Sequence, residues 1–143
     1  MAVLYFDASA FVKLVVAESG SETAASLWDG ADAIVSSRLA YPEVRAALRA
    51  ARRNARLTAS SLAQAERAWE DFWAEVRPVE LTGSVQDHAG SIAAKHGLRG
   101  ADAVHLASAQ ALGDQHVIVA VWDLRMHAAV RVAGLAVAPA SLS

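Results

Sequence analysis

The sequence of 143 residues contains no cysteine. Disulfide scaffolds, zinc–thiolate sites, iron–sulfur clusters and cysteine nucleophiles are therefore excluded. Long hydrophobic runs are also missing, because the apolar start (residues 1–6) meets Asp7 at once. That run is far shorter than the roughly 18 apolar residues of a membrane span, and it lacks the basic region of a signal peptide. We expect a cytoplasmic protein without a membrane segment.

An excess of positive charge is absent too. The chain has 13 basic and 15 acidic residues and a net charge of −2, so any nucleic-acid partner must be held by a local patch. Hydrophobic residues make up 55% and charged residues 20%, which excludes a disordered chain. The length is typical of one domain, and we predict a single domain over residues 1–143.

Short apolar runs alternate with segments of helical periodicity along the whole chain. Strands are predicted at residues 3–6, 33–35, 79–81, 117–121 and 135–137. Helices are predicted behind an N-cap at Ser9 and at residues 21–30, 39–53, 58–75, 84–96, 102–112 and 124–132. This alternation predicts an α/β fold, and the uninterrupted apolar strands favour a mostly parallel sheet that is covered on both faces.

Four acidic residues stand out by their position. Asp7 and Asp123 close predicted strands, whereas Glu43 and Asp102 lie where predicted helices begin. Ligands of parallel α/β sheets collect outside the carboxyl ends of the strands, and the following helices begin at the same edge. We therefore expect the four carboxylates to share one crevice.

Clustered carboxylates repel each other unless a cation joins them, and oxygen ligands favour hard ions such as Mg²⁺ or Mn²⁺. An ion of this kind polarises a phosphodiester and lowers the pKa of a bound water, so hydrolysis of a phosphodiester fits the chemistry. The alternative is structural. Asp7 and Asp102 are good helix caps, and Glu43 suits the positive end of a helix dipole.

At these positions the sequence resembles the PIN domain, and within it the VapC ribonuclease toxins of bacterial toxin–antitoxin pairs. The pattern is an Asp-x-Ser start, a Glu at a helix opening, a small-residue Asp-Ala-x-His-Leu-Ala segment, and a fourth Asp after a late strand. The matching segments are residues 5–9, 36–37 with 41–44, 99–107 and 122–123. Each motif is short, but together and in order they are fairly specific.

The resemblance implies a three-layer α/β/α sandwich with a central, mostly parallel sheet. It implies a Mg²⁺- or Mn²⁺-dependent endoribonuclease that acts as a toxin and is often a homodimer, with a cognate antitoxin that inserts a peptide into the cleft. The implied metal ligands are Asp7, Glu43, Asp102 and Asp123, which Ser9 supports from behind. The chain departs from the family at Val121, where Thr or Ser is common.

Other side chains have both a functional and a structural interpretation. The arginines Arg45, Arg49, Arg52, Arg53 and Arg56 form a basic stripe if their helix extends far enough. Such a stripe is suited to an RNA backbone, and Arg45, Arg49 and Arg52 are the candidate RNA-binding residues, although a solvated helix face is the usual meaning of such a run. His105 is expected to be a packed histidine rather than a catalytic base. The aromatic stripe of Trp69, Phe72 and Trp73 is typical of a core and leaves a dimer interface open.

Two other functions remain open from the sequence. A phosphohydrolase or phosphotransferase with Asp7 as nucleophile generally has a second Asp two residues on, where this chain has Ser9. A catalytically weak PIN-like module that binds RNA or a protein partner is the alternative from another class. The four intact acids argue against it, and Val121 mildly favours it.

Overall fold

A computed structural model describes residues 2–113 and 116–142. The strands are β1 (Val3–Phe6), β2 (Ala33–Ser37), β3 (Arg77–Val79), β4 (Val117–Ala120) and β5 (Ala136–Ala138). The helices are α1 (Ala8–Val15), α2 (Ser21–Gly30), α3 (Ala40–Arg53), α4 (Ala59–Trp73), α5 (Gly83–His96), α6 (Gly100–Gln110) and α7 (Leu124–Val132). Met1, Asp114, Gln115 and Ser143, which the predicted domain includes, lie outside the described residues.

The five strands form one parallel sheet in the order β3-β2-β1-β4-β5. The central pairings place Leu4 beside Ile34 on one side and beside Ile118 on the other. From β1 the chain first builds outward through β2 and β3, and it later returns to add β4 and β5 on the opposite side. The switch point between β1 and β4 is where open α/β sheets form their ligand crevices.

Two hydrophobic layers cover the sheet, because neighbouring residues of a strand point to opposite faces. Val3 and Tyr5 pack with α5, α6 and α7 on one face. Leu4 and Phe6 pack with α1, α3 and α4 on the other, where Trp69 is fully buried. The predicted three-layer α/β/α sandwich is confirmed, and the described sheet is parallel throughout.

Some predicted boundaries were wrong. Helix α1 is capped by Asp7 and not by Ser9, because the Asp7 carboxylate accepts the Ala10 N–H and the helix begins at Ala8. Strand β3 lies two residues earlier than predicted. Its place is set by backbone pairing with β2, not by its apolar residues, and Leu81 of the predicted segment remains 55% exposed.

Among residues 2–113 and 116–142, no helix is both long enough and apolar enough to cross a membrane.

Candidate active site

A cleft of about 520 Å³ opens at the carboxyl ends of β1 and β4. All four predicted acids line it: Asp7, Glu43, Asp102 and Asp123. Asp7 follows β1, Asp123 follows β4, and the other two lie in the first turns of α3 and α6. The structure therefore brings together residues that are up to 116 positions apart, as the sheet-edge argument predicted.

Asp7 is the most buried of these acids, with 6% of its surface exposed. Its Oδ1 accepts the Ala10 N–H at 2.9 Å and the Ser9 hydroxyl at 2.8 Å. Burial raises the pKa of Asp7 above its ordinary value, and the Asp102 charge adds to that rise. The electrostatic interaction with His105 and the two hydrogen bonds oppose this rise in the Asp7 pKa. Ser9 is exposed, lines the cleft beside Asp7 and donates to its carboxylate, and its supporting role in the site stays a prediction.

Glu43 is held by a hydrogen bond to His105. The His105 Nε2 lies 2.6 Å from Glu43 Oε1, and its Nδ1 lies 2.7 Å from the Tyr5 hydroxyl. With 2% exposure His105 is a packed histidine whose nitrogens are both paired, as predicted, and that it is not a catalytic base stays a prediction. Its ring nevertheless lines the cleft, because one of its partners is a site carboxylate.

Asp102 and Asp123 each have one defined partner. The Arg99 Nε donates to Asp102 Oδ2 at 3.1 Å, and the Met126 N–H donates to Asp123 Oδ1 at 2.9 Å. Asp123 is therefore the N-cap of α7. Asp102 is not a cap, because α6 begins at Gly100 and Arg99 holds the capping position. The predicted capping role is therefore found at Asp7 and not at Asp102, and Asp123 is a cap that was not predicted.

Each of the four carboxylates uses only one oxygen for these hydrogen bonds. Within the described residues, the second oxygen of each makes none: Asp7 Oδ2, Glu43 Oε2, Asp102 Oδ1 and Asp123 Oδ2. These four oxygens are the donor set that a hard divalent cation prefers. In the present side-chain arrangement the four carboxylates are too far apart to coordinate one ion. No three acidic or histidine side chains in the described part of the chain converge closely enough to hold a metal ion.

The cleft is also lined by basic and aromatic side chains that were not among the predicted metal ligands. Lys13 donates to Glu18 Oε1 at 3.1 Å, and its Nζ lies 5.3 Å from the ring centroid of Trp122. Arg56 approaches the same Glu18 at 3.5 Å, and Arg99 lies opposite Asp102. The position of Trp122 directly before Asp123, and the three-residue spacing from Arg99 to Asp102, are the sequence signals that indicate these residues.

The predicted basic stripe does not continue as one surface, because α3 ends at Arg53. Arg49 makes two contacts near 3 Å with Glu66 of α4, and Arg45 pairs with Glu66 and Glu70. These two arginines therefore join α3 to α4. Arg52 is exposed and makes no ion pair with any described residue, whereas Arg56 is the member of the stripe that lines the cleft.

Val121, which stands where the family commonly has a hydroxyl, is fully buried in the layer of α5, α6 and α7. The next residue, Trp122, lines the cleft, whereas Val121 does not.

The architecture and site define the class of this protein. The family model of the PIN domain matches residues 4–125, and the chain belongs to the PIN domain family. The solved structure of PAE2754 from Pyrobaculum aerophilum has a TM-score of 0.66 at 22% identity, covering 96% of this chain and 92% of that one. A toxin–antitoxin complex from Klebsiella pneumoniae gives 0.65 at 15% identity, with 100% of both chains covered. At these identities the two structures show the shared fold.

Relatives with higher sequence identity place this chain in the VapC group of the family. Ribonuclease VapC45 of Mycobacterium tuberculosis strain CDC 1551 / Oshkosh and ribonuclease VapC49 of strain H37Rv are each 66% identical over 142 residues, which is 99% of this chain and 99% of the relative. Ribonuclease VapC46 of strain H37Rv is 34% identical over 137 residues, with 96% and 97% covered.

Proposed function

We propose that this chain is a divalent-metal-dependent endoribonuclease, the toxin component of a type II toxin–antitoxin pair. The observation that carries the proposal is that Asp7, Glu43, Asp102 and Asp123 line one cleft, each with one carboxylate oxygen that makes no hydrogen bond within the described residues. The whole-length identity of 66% to proteins named ribonucleases supports the same reaction.

Mg²⁺ or Mn²⁺ would be held by these four carboxylates, and it would supply a polarised phosphodiester and an activated water. The chain's own residues prepare the site for it. Backbone N–H groups fix Asp7 and Asp123, and His105 fixes Glu43. Arg99 balances part of the negative charge at Asp102 while the site is free of metal.

The basic side chains of the cleft support RNA as the substrate. Lys13, Arg56 and Arg99 line the same cleft as the carboxylates, so a phosphate backbone that enters it would meet positive charges there. We also propose a cognate antitoxin whose peptide enters this cleft. The homodimer and the cytoplasmic location stay predictions. Trp69 of the aromatic stripe is fully buried in the core of this chain.

The test is cleavage of a mixed RNA pool by the purified chain with Mn²⁺, and with excess chelator as the control. A phosphate monoester with a chromogenic leaving group is assayed beside it. We expect metal-dependent cleavage of RNA only. Hydrolysis of the monoester would favour the phosphohydrolase with Asp7 as nucleophile, and RNA binding without cleavage would favour the catalytically weak module.

A further inference from the structure

A chain of buried hydrogen bonds leads from the sheet to Glu43. The Ser37 N–H donates to the Tyr5 hydroxyl at 3.0 Å, and that hydroxyl lies 2.7 Å from His105 Nδ1. The far side of the ring, Nε2, lies 2.6 Å from Glu43 Oε1. Four elements are joined in this way, because Tyr5 belongs to β1, Ser37 to β2, His105 to α6 and Glu43 to α3.

The chemistry of the groups determines which atom donates and which accepts in each of these hydrogen bonds. An ionised Glu43 has no proton to give, so the 2.6 Å contact requires a proton on His105 Nε2. In the neutral ring Nδ1 is then an acceptor, and the Tyr5 O–H is the donor that faces it. Tyr5 can fill this role because its fully buried hydroxyl has one proton to donate. Its own oxygen is free to accept the Ser37 N–H.

Glu43 depends on this series of hydrogen bonds more than Asp7 and Asp123 depend on their side-chain partners. Asp7 and Asp123 are short side chains fixed by backbone N–H groups of their own helices. Glu43 is longer, its side chain is 28% exposed, and the only hydrogen bond of its carboxylate within the described residues is the one from His105. Without that bond, its extra rotatable bond leaves the carboxylate free to turn toward solvent.

We propose that His105 and Tyr5 are positioning residues for the reaction: Tyr5 fixes the tautomer and orientation of His105, and His105 aims Glu43 into the cleft so that its second oxygen is presented to the metal. The inference rests on the metal-dependent function proposed above. It assigns to these residues an effect on metal affinity that a histidine serving only to pack the core does not have.

The test compares metal binding with folding in matched variants. Tyr5→Phe removes one hydroxyl and keeps the ring, and His105→Gln removes the imidazole. The controls are Tyr41→Phe, which removes the only other tyrosine hydroxyl, and His127→Gln, which removes the other buried histidine, bonded to the Pro139 carbonyl. Calorimetry with Mn²⁺ gives the Kd of the folded protein, and the Tm without metal reports stability separately.

We expect the Mn²⁺ Kd to rise about 10- to 100-fold in Tyr5→Phe and His105→Gln, as when residues that support metal ligands are removed. The controls should lower the Tm without changing the Kd. A double-mutant cycle adds a second criterion. In a Glu43→Gln background, His105→Gln should weaken binding little further, because the carboxylate that it positions is already gone.

A readout on the unmodified protein avoids any failure of a variant to fold. Nitrogen-15 NMR of the imidazole should show His105 protonated at Nε2 and unprotonated at Nδ1. The opposite tautomer, or an unchanged Mn²⁺ Kd in both variants while the parent binds Mn²⁺, would overturn the positioning role and leave the metal site standing. Absence of Mn²⁺ binding by the parent itself would overturn both proposals.

Discussion

Arg99 and Asp102 form an ion pair at the mouth of the acidic cleft, with Arg99 Nε 3.1 Å from Asp102 Oδ2. The Arg99 side chain is 78% exposed, so water screens the pair and it contributes little to stability. The pair matters because of its position at the cleft, not because of its strength. A cation that binds Asp102 must share this carboxylate with Arg99, and an incoming phosphate finds the same guanidinium at the rim.

Replacing Arg99 should therefore separate metal binding from RNA binding. In Arg99→Gln we expect tighter Mn²⁺ binding, because a competing positive charge is gone, together with weaker RNA binding and a salt dependence reduced by about one phosphate contact. Calorimetry with Mn²⁺ and RNA titrations at several salt concentrations measure the two effects. Equal weakening of both would show that Arg99 helps to hold the site together.

Asp102→Asn tests whether Asp102 is a site residue. The change removes one charge from a group of like charges, so the Tm without metal should stay the same or rise. Mn²⁺ affinity and RNA cleavage should collapse, because a misplaced ion loses water activation and phosphate positioning together. Asp29→Asn, an exposed acid outside the cleft, is the control and should alter neither property. Cleavage at the parent's rate by Asp102→Asn would remove Asp102 from the site.

Asp7→Asn should stabilise the metal-free protein in a pH-dependent way. Asn caps a helix about as well as Asp, so the bond to the Ala10 N–H is retained. Because burial raises the Asp7 pKa in the folded state, the ionised carboxylate costs stability above that raised pKa. The cost disappears below the ordinary pKa of 3.8.

The Tm difference between Asp7→Asn and the parent should therefore be small near pH 3.5 and should grow as the pH rises toward 7. Thermal unfolding in chelator at a series of pH values measures it. A difference that shrinks as the pH rises would mean that the Asp7 carboxylate is stabilised in the folded state.

Arg56, rather than Arg49, is expected to contact RNA. Arg56 lines the cleft and makes one longer contact of 3.5 Å with Glu18, whereas Arg49 does not line the cleft and makes two contacts near 3 Å with Glu66. Arg56→Gln should reduce the slope of log affinity against log salt by about one unit, and Arg49→Gln should leave it unchanged. Arg52→Gln, on the exposed end of α3, tests the remainder of the predicted stripe. If Arg49→Gln and Arg52→Gln reduced this slope as much as Arg56→Gln does, the predicted basic stripe would be the RNA-binding surface.

Gly20 is required by its backbone and by Trp122. Its φ of +89° is left-handed, and a Cβ there would lie 2.8 Å from Trp122 Nε1. Gly20→Ala should lower the free energy of unfolding by about 1–2 kcal/mol from the backbone alone, measured by denaturant titration. Gly83→Ala is the control, because a Cβ at Gly83 meets nothing within 4 Å. No loss of stability in Gly20→Ala would show that the loop relaxes.

The sequence alone determined the class of fold and the membership of the acidic group. Continuous apolar strands such as residues 117–121 require a sheet covered on both faces, and the carboxyl ends of parallel strands meet at one edge. The shared edge places Asp7 and Asp123 at the same end of the sheet, and the pairing of β1 with β4 in the structure makes them neighbours. The two other acids follow from the helices that begin at the same edge.

Only the tertiary structure decided which side chains pair with one another. His105 and Glu43 are 62 residues apart, and Arg49 and Glu66 lie on different helices, so their contacts depend on how each helix is rotated and packed against the next. The register of β3 was likewise set by its neighbour β2. Periodicity identifies the face of a helix that is buried, but it carries no information about the partner across the interface, because that partner is chosen by packing between distant segments.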